Sequence, residues 1–259
     1  MLLYNLVRGG RRRLWGATCF IILAAATGAQ AQAPASAEAH LRRGLARQAR
    51  GNVAGALADF NRALELKPAL APAYYYRGNL LYGRGDYRAA IGDYDRLVEL
   101  DPRNPAAFYN RGVARFALGD WAGAAGDMTG AVSLDARHAR AFYVRGVAEH
   151  MLGQIDAAVA DFDRAVELDP RYAEAYNNRG AARQDKGDLE GAVADFGKAI
   201  ALDPSYAEAY ANRGAALLLQ GRKAEAQRDF DRSAKLNRGM RGMVRESVRG
   251  VNRPRPRDE

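Results

Sequence analysis

The chain has 259 residues, of which 48% are apolar and 27% charged, as is typical of a soluble folded protein. Its formal charge of +9 is concentrated at the two ends, because four arginines lie before residue 32 and seven lie after residue 237 against three acidic residues. The part between is close to neutral, which argues against a basic nucleic-acid-binding surface spread over the fold.

The N-terminus, residues 1–31, is predicted to be a secretory signal peptide. Its four arginines precede an apolar run at residues 14–26. The run is shorter than the roughly 20 residues that a membrane-spanning helix needs, and no second such stretch follows. We therefore expect a periplasmic or secreted mature chain without a transmembrane span. The alternatives are an uncleaved inner-membrane anchor and, from the run Arg-Arg-Arg-Leu-Trp, export by the twin-arginine route.

Cleavage of the signal peptide is predicted after Ala31, because Ala29 and Ala31 form the expected pair of small residues. Cleavage after Ala33 fits the same pattern but would leave Pro34 directly after the cut. The single cysteine, Cys19, lies within the apolar run. The mature chain should then contain no disulfide, and packing alone must stabilise it.

From residue 37 to residue 240 the sequence repeats every 34 residues without insertion or deletion. The blocks are 37–70, 71–104, 105–138, 139–172, 173–206 and 207–240, and a short linker, 32–36, precedes them. In each block, the fourth place and a glycine at the eighth place share one helical face. The fourth-place residues are His40, Tyr74, Phe108, Phe142, Tyr176 and Tyr210, and the glycines are Gly44, Gly78, Gly112, Gly146, Gly180 and Gly214.

A second glycine at the fifteenth place, usually followed by Asn or Asp, predicts a turn between two helices. In the second half of all six blocks an alanine at the twentieth place lies one helical turn before a Phe, Tyr or Met at the twenty-fourth. Four of the blocks then read Leu-Lys-Pro or Leu-Asp-Pro, and the proline ends the helix because it cannot continue it. Each block is therefore predicted to form a helical hairpin.

This pattern resembles the tetratricopeptide repeat in both spacing and residue type. The resemblance implies an all-α fold, an alpha-alpha superhelix, in which helix-turn-helix hairpins form a right-handed solenoid and bury their apolar faces against their neighbours. The end blocks differ, with His40 in the aromatic place and Arg238 where proline is expected. Residues 241–251 are predicted to form a C-terminal capping helix, and residues 252–259 a disordered basic tail.

An arginine at the seventh place and an aspartate at the twenty-third recur in every block. A group that is repeated in every unit is unsuited to be a unique catalytic residue, so we interpret these residues as structural ion pairs. The arginines are Arg43, Arg77, Arg111, Arg145, Arg179 and Arg213, and the aspartates are Asp59, Asp93, Asp127, Asp161, Asp195 and Asp229.

The sequence offers no catalytic constellation. Its only histidines are His40, His138 and His150, and it has neither paired metal-ligand spacing nor a glycine-rich phosphate loop. We predict no catalytic residue, no metal, no cofactor and no enzyme activity. An enzyme would have to rely on His150, Arg140 and Glu149.

The resemblance implies a scaffold or adaptor in the bacterial cell envelope, which holds a protein or peptide ligand in a concave groove. With the fourth and eighth places packed inward, the second, fifth, ninth and twelfth places of the first helices face this groove. The predicted groove residues are Tyr75, Asn79, Tyr82, Tyr109, Asn110, Phe116, Arg140, Tyr143, His150 and Asn177. The alternative function is membrane-surface or nucleic-acid binding through the basic tail.

Two features of this set have more than one interpretation. The fifth-place residues Tyr75, Tyr109 and Tyr143 could contact a ligand or pack between neighbouring repeats. Some tetratricopeptide adaptors bind the terminal carboxylates of a peptide with five polar residues, and Asn79, Asn110 and Arg140 match three of those places. Two of the three basic groups are missing here, so we expect at most a single contact through Arg140.

Overall fold

The computed structural model describes residues 36–237, together with Gly239 and Gly242. The predicted signal peptide, the linker before Ser36, the basic tail and, except for Gly242, the predicted capping helix lie outside the described residues. The predictions for those segments therefore stay predictions.

Residues 36–237 form twelve α-helices and no strand. In chain order they are α1 (Ala37–Ala49), α2 (Val53–Leu66), α3 (Ala71–Arg84), α4 (Tyr87–Leu100), α5 (Pro105–Ala117), α6 (Trp121–Leu134), α7 (Ala139–Met151), α8 (Ile155–Leu168), α9 (Ala173–Asp185), α10 (Leu189–Leu202), α11 (Ala207–Leu219) and α12 (Lys223–Leu236). The odd-numbered helices are the first helices of the hairpins, and the even-numbered helices are the second.

The helices belong to two compact units that divide within α4, between Asp93 and Tyr94. In the first unit α1 packs against α2, and α2 packs against α3. In the second unit the two helices of each hairpin pack together, and α6, α8 and α10 also pack against the first helix that follows. This sequential packing is that of an α-solenoid, and the predicted all-α fold class is confirmed.

The turn inside each hairpin is made by the fifteenth-place glycine. These six glycines have φ between +75° and +89°, a left-handed conformation that glycine adopts without steric cost. In three hairpins the side chain of the next residue then caps the second helix: Asn52, Asp120 and Asp188 each accept a hydrogen bond from the backbone N–H three residues later. The predicted turn is therefore confirmed.

The eighth-place glycine lets the two helices of a hairpin come close together. A Cβ atom at Gly146 would lie 2.9 Å from the ring of Phe162 and 3.2 Å from the carbonyl oxygen of Ala158. The twenty-fourth-place side chain therefore packs on bare backbone, and Phe162 is fully buried. The equivalent pairs are Gly44–Phe60, Gly112–Met128, Gly180–Phe196 and Gly214–Phe230.

Substitution of Gly146 tests this packing. Gly146→Ala should lower the free energy of unfolding by about 1–3 kcal/mol, because the ring of Phe162 has no free space to move into. The measurement is urea unfolding followed by circular dichroism. Gly126→Ala in α6 is the control, since no atom lies within 4 Å of its added Cβ, and it should raise the free energy of unfolding by about 0.5–1 kcal/mol. Two changes of the same sign would contradict the close-packing account.

Candidate functional site

The seventh-place arginine of each hairpin is bound to the buried aspartate sixteen residues later. In the fourth hairpin Arg145 donates from Nε to Asp161 Oδ2 at 2.6 Å and from Nη2 to Oδ1 at 2.7 Å. These parallel bonds join the two helices with a charge-assisted, two-point contact. The interpretation of the repeated residues as structural ion pairs is confirmed. The other pairs are Arg43–Asp59, Arg77–Asp93, Arg111–Asp127, Arg179–Asp195 and Arg213–Asp229.

The same arginines also contact the fourth-place ring and the preceding hairpin. In five hairpins the guanidinium carbon lies 5.2–5.8 Å from the centre of the fourth-place ring. Nη1 of Arg179 donates to Asp163 Oδ1 of the preceding hairpin at 2.7 Å. Arg77, Arg111 and Arg145 reach back in the same way to Asn61, Asp95 and Thr129. The side chains of these arginines are therefore held in contacts that stabilise the fold.

The fourth hairpin differs at the eleventh place. Arg47, Arg115 and Arg183 occupy this place in three other hairpins, and each bonds the buried aspartate of its own hairpin at 2.8–2.9 Å. Glu149 stands there in the fourth hairpin. Its side chain is only 15% exposed, and its Oε1 lies 4.0 Å from Arg145 Nε. Burial, together with the charge of Asp161, raises the pKa of Glu149 to about 7.

The stability of the protein should therefore depend on pH near neutrality. Glu149 has a pKa of about 7 when folded and an ordinary value of 4.5, so its contribution is complete below pH 4.5 and is lost as the pH rises through 7. Allowing for solvent screening, Glu149→Gln should raise the free energy of unfolding at pH 8 by about 1–2 kcal/mol relative to wild type.

The measurement is urea unfolding of wild type and Glu149→Gln at several values between pH 5 and pH 8.5. Glu167→Gln, on the exposed part of α8, is the matched control and should not change the pH profile. A constant difference between Glu149→Gln and wild type across this range would contradict the raised pKa.

Two of the predicted groove residues are buried between neighbouring hairpins. Tyr143 is 4% exposed, and its hydroxyl accepts a hydrogen bond from Asn178 Nδ2 at 2.9 Å. Asn177 is 5% exposed, and its Oδ1 accepts a hydrogen bond from Asn212 Nδ2 at 2.9 Å. A partner cannot reach side chains buried in this way, so both are removed from the candidate surface. For Tyr143, packing between repeats is the explanation that the structure supports.

His150 also contacts a neighbouring hairpin. Its side chain is 9% exposed, and Nε2 lies 2.7 Å from Asp185 Oδ2. In the described part of the chain, no three His, Cys, Asp or Glu side chains come together as a metal site would require. We therefore interpret His150 as a structural residue whose contact with Asp185 joins α7 to α9.

The other predicted residues are less buried. Tyr109 is half-buried, with its ring 4.6 Å from that of His138, and Arg140 is exposed. Phe116 packs edge-on against Trp121 at 4.8 Å. Asn110 is partly buried and has a partner of its own.

Three predicted residues belong to the first unit. Tyr75 and Tyr82 are partly buried, and their rings contact those of Tyr76 and Tyr87 at 5.2 and 5.3 Å. Asn79 is partly buried and already has a partner. The candidate surface is therefore described on the second unit alone.

Two tyrosines that the sequence interpretation missed lie on the same surface, Tyr172 near Tyr109 and Arg140, and Tyr206 near Glu174 and Glu208. Tyr172 and Tyr206 each stand immediately before a first helix, and the ring of Tyr172 lies 4.8 Å from that of Tyr143. Burial raises the pKa of both hydroxyls above the ordinary value of 10. The sequence did contain a signal for these two residues. The last, thirty-fourth place of the block carries an aromatic ring in three consecutive blocks, as His138, Tyr172 and Tyr206.

Charged residues at the second place complete this surface. Most charged residues of α5, α7, α9 and α11 lie in ion pairs. These residues are the arginines at the seventh and eleventh places, together with Glu149, His150 and Asp185. Of the charged residues in these four helices, only Arg140, Glu174 and Glu208 have no ion-pair partner among residues 36–237. All three occupy the second place of consecutive first helices. We call Tyr109, Arg140, Tyr172, Glu174, Tyr206 and Glu208 the tyrosine surface.

This chain consists of helical hairpins that recur every 34 residues and pack one after another. These two features define a helical-repeat protein. Family models described as "TPR repeat" match residues 44–85, 78–119, 146–187 and 182–221, and one described as "Tetratricopeptide repeat" matches residues 207–239. These matches cover more than half of the chain. It belongs to the tetratricopeptide repeat family.

Solved structures with the same fold include a crystal structure of MamA, which is 27% identical and aligns with a TM-score of 0.60 over 62% of this chain and 95% of that one. MamA from Desulfovibrio magneticus RS-1 is 23% identical, with a TM-score of 0.63 over 67% and 98% of the two chains. YrrB, described as a TPR protein with an unusual peptide-binding site, is 24% identical, with a TM-score of 0.63 over 74% and 97%. No curated protein is similar enough in sequence to count as a relative.

Proposed function

We propose that this protein is a non-catalytic scaffold of the bacterial cell envelope, which binds a segment of a partner protein on the tyrosine surface. The observation that carries the proposal is the contrast in charge on the first helices of the second unit. The other charged groups of these helices lie in ion pairs of the fold, whereas Arg140, Glu174 and Glu208 have no such partner in the described part of the chain.

The chemistry of the surface supports protein binding. Half-buried tyrosines provide a large contact area and lose little conformational entropy when a partner binds, which is why they are common at the centres of interfaces. Tyr109 and Tyr172 already rest on neighbouring rings, so they are held in place before binding. Three charged side chains beside these rings supply specificity. The family also supports the proposal, because helical-repeat arrays present extended binding surfaces.

The proposed location rests on the features of residues 1–31. None of the helices in the described part of the chain is long and apolar enough to cross a membrane. An arginine-rich start followed by a short apolar run and the small pair Ala29 and Ala31 favours export with cleavage.

Site-specific photo-crosslinking in the producing cell tests the binding surface. A benzoylphenylalanine in place of exposed Glu174 should yield a cross-linked partner, because this position borders the tyrosine surface. The matched control is Glu190, which is also exposed and lies at the second place of α10, and no specific product should form there. Equal products at both positions would contradict the proposed surface. Binding that disappears with salt and on deletion of residues 239–259 would move the function to the basic tail.

Export is tested separately. The full chain should be recovered from the periplasmic fraction with Gln32 as its first residue, whereas a chain starting at Gln32 behind an initiator Met should stay in the cytoplasm. N-terminal sequencing and fractionation against a cytoplasmic marker make the measurement. Recovery of the intact N-terminus in the membrane fraction would instead favour the uncleaved anchor.

A further inference from the structure

The tyrosine surface has an ordered pattern of charge. Along consecutive first helices the second-place residues are Arg140, Glu174 and Glu208, so one positive group is followed by two negative groups. First helices of neighbouring hairpins contact one another from α5 to α11. The three charges therefore follow one another along a single face of the second unit.

The ordinary explanation of these charges fails for Arg140. A carboxylate in the first turn of a helix interacts favourably with the helix dipole, which explains Glu174 and Glu208 without any ligand. A cation in the first turn is unfavourable for the same reason, yet α7 carries Arg140 there and has no acidic residue in that turn. Arg140 is exposed and has no ion-pair partner among residues 36–237. Neither the helix dipole nor an ion pair among the described residues therefore explains its position.

The charges near the three tyrosines change along the face. Tyr109 lies near the positive charge of Arg140, and Tyr172 lies near both the carboxylate of Glu174 and Arg140. Tyr206 lies among carboxylates instead, since the charges that act on it are those of Glu174, Glu208 and Asp203. An aromatic ring flanked by carboxylates favours a cation, which gains both the ring face and the opposite charge.

We propose that the partner is an extended segment that sets an acidic group against Arg140 and a basic side chain between Glu174 and Glu208, over Tyr206. This inference rests on the proposed function, and it assigns the partner a charge order and a direction along the surface. Neighbouring helices pack about 8–10 Å apart, and an extended chain advances about 3.3 Å per residue. The two charged groups of the partner should therefore be about three to five residues apart.

Selection from a library of displayed random twelve-residue peptides on the purified full chain tests this inference. Enriched peptides should share one acidic and one basic residue in a fixed order, three to five positions apart. Synthetic copies of one enriched peptide and of its charge-reversed counterpart are then titrated against the chain and its variants. Circular dichroism checks that each variant is folded.

The variants exchange the charges of the surface. Arg140→Glu, and separately the pair Glu174→Lys with Glu208→Lys, should each weaken binding of the selected peptide by about three- to tenfold. A variant that carries all three changes should prefer the charge-reversed peptide. Glu190→Lys is the matched control, because it makes the same change of charge in the first turn of α10, and it should leave the affinity unchanged.

The outcomes separate this inference from the function on which it rests. Peptides that lose affinity with Tyr172→Ala but bind all charge variants equally would overturn the charge order and leave the proposed binding surface in place. A library that yields no binder, together with no cross-link from position 174, would overturn both.

Discussion

A carboxylate buried between two helices has to be neutralised, and in every hairpin of this protein the seventh-place arginine meets that requirement, with a second arginine in three of them. Arg145 illustrates the arrangement, since it makes two parallel bonds to Asp161, lies against the ring of Phe142 and donates to Thr129 of the preceding hairpin. Loss of the arginine would leave a buried charge without a partner, which is far more costly than loss of an exposed pair. The same contact therefore sets the distance between the two helices and joins successive hairpins.

This use of charge explains why so few groups remain for a partner. A solenoid exposes much of its surface, yet on the first helices of the second unit the ionic groups at the seventh and eleventh places are held by the fold. On the proposed surface, recognition is left to the second place and to the residue that precedes each first helix, where Arg140 and Tyr172 lie. These positions vary between hairpins while the packing residues recur, so the fold can be kept while specificity changes. Glu149 shows that a packing position can also depart from the pattern, and its raised pKa predicts that stability will depend on pH.

The fold was predictable because its determinants lie within one 34-residue block. Gly146 and Phe162 belong to the same hairpin, and helical periodicity is enough to bring them together. The surface was predictable only in part, because its burial depends on contacts across blocks. Tyr143 is covered because Tyr172 and Asn178 lie over it, whereas Tyr109 has a histidine in the equivalent contact and stays half-buried. Helical periodicity gives the direction of a side chain but not the size of its neighbour, and it gives nothing for Tyr206, which lies outside a helix.

One junction lacks the arginine contact that links the others. Arg213 binds Asp229 of its own hairpin, but the residue of the preceding hairpin that should accept its second bond is Gly197, which has no side chain. The final hairpin is therefore attached by apolar packing and an amide contact, without this arginine hydrogen bond. In a linear array each interface contributes its own share of the cooperativity, so this interface lacks one contribution that the other junctions have. Separation of this hairpin from the preceding one would break no such arginine bond, and it would carry Glu208 away from Arg140 and Glu174 on the tyrosine surface.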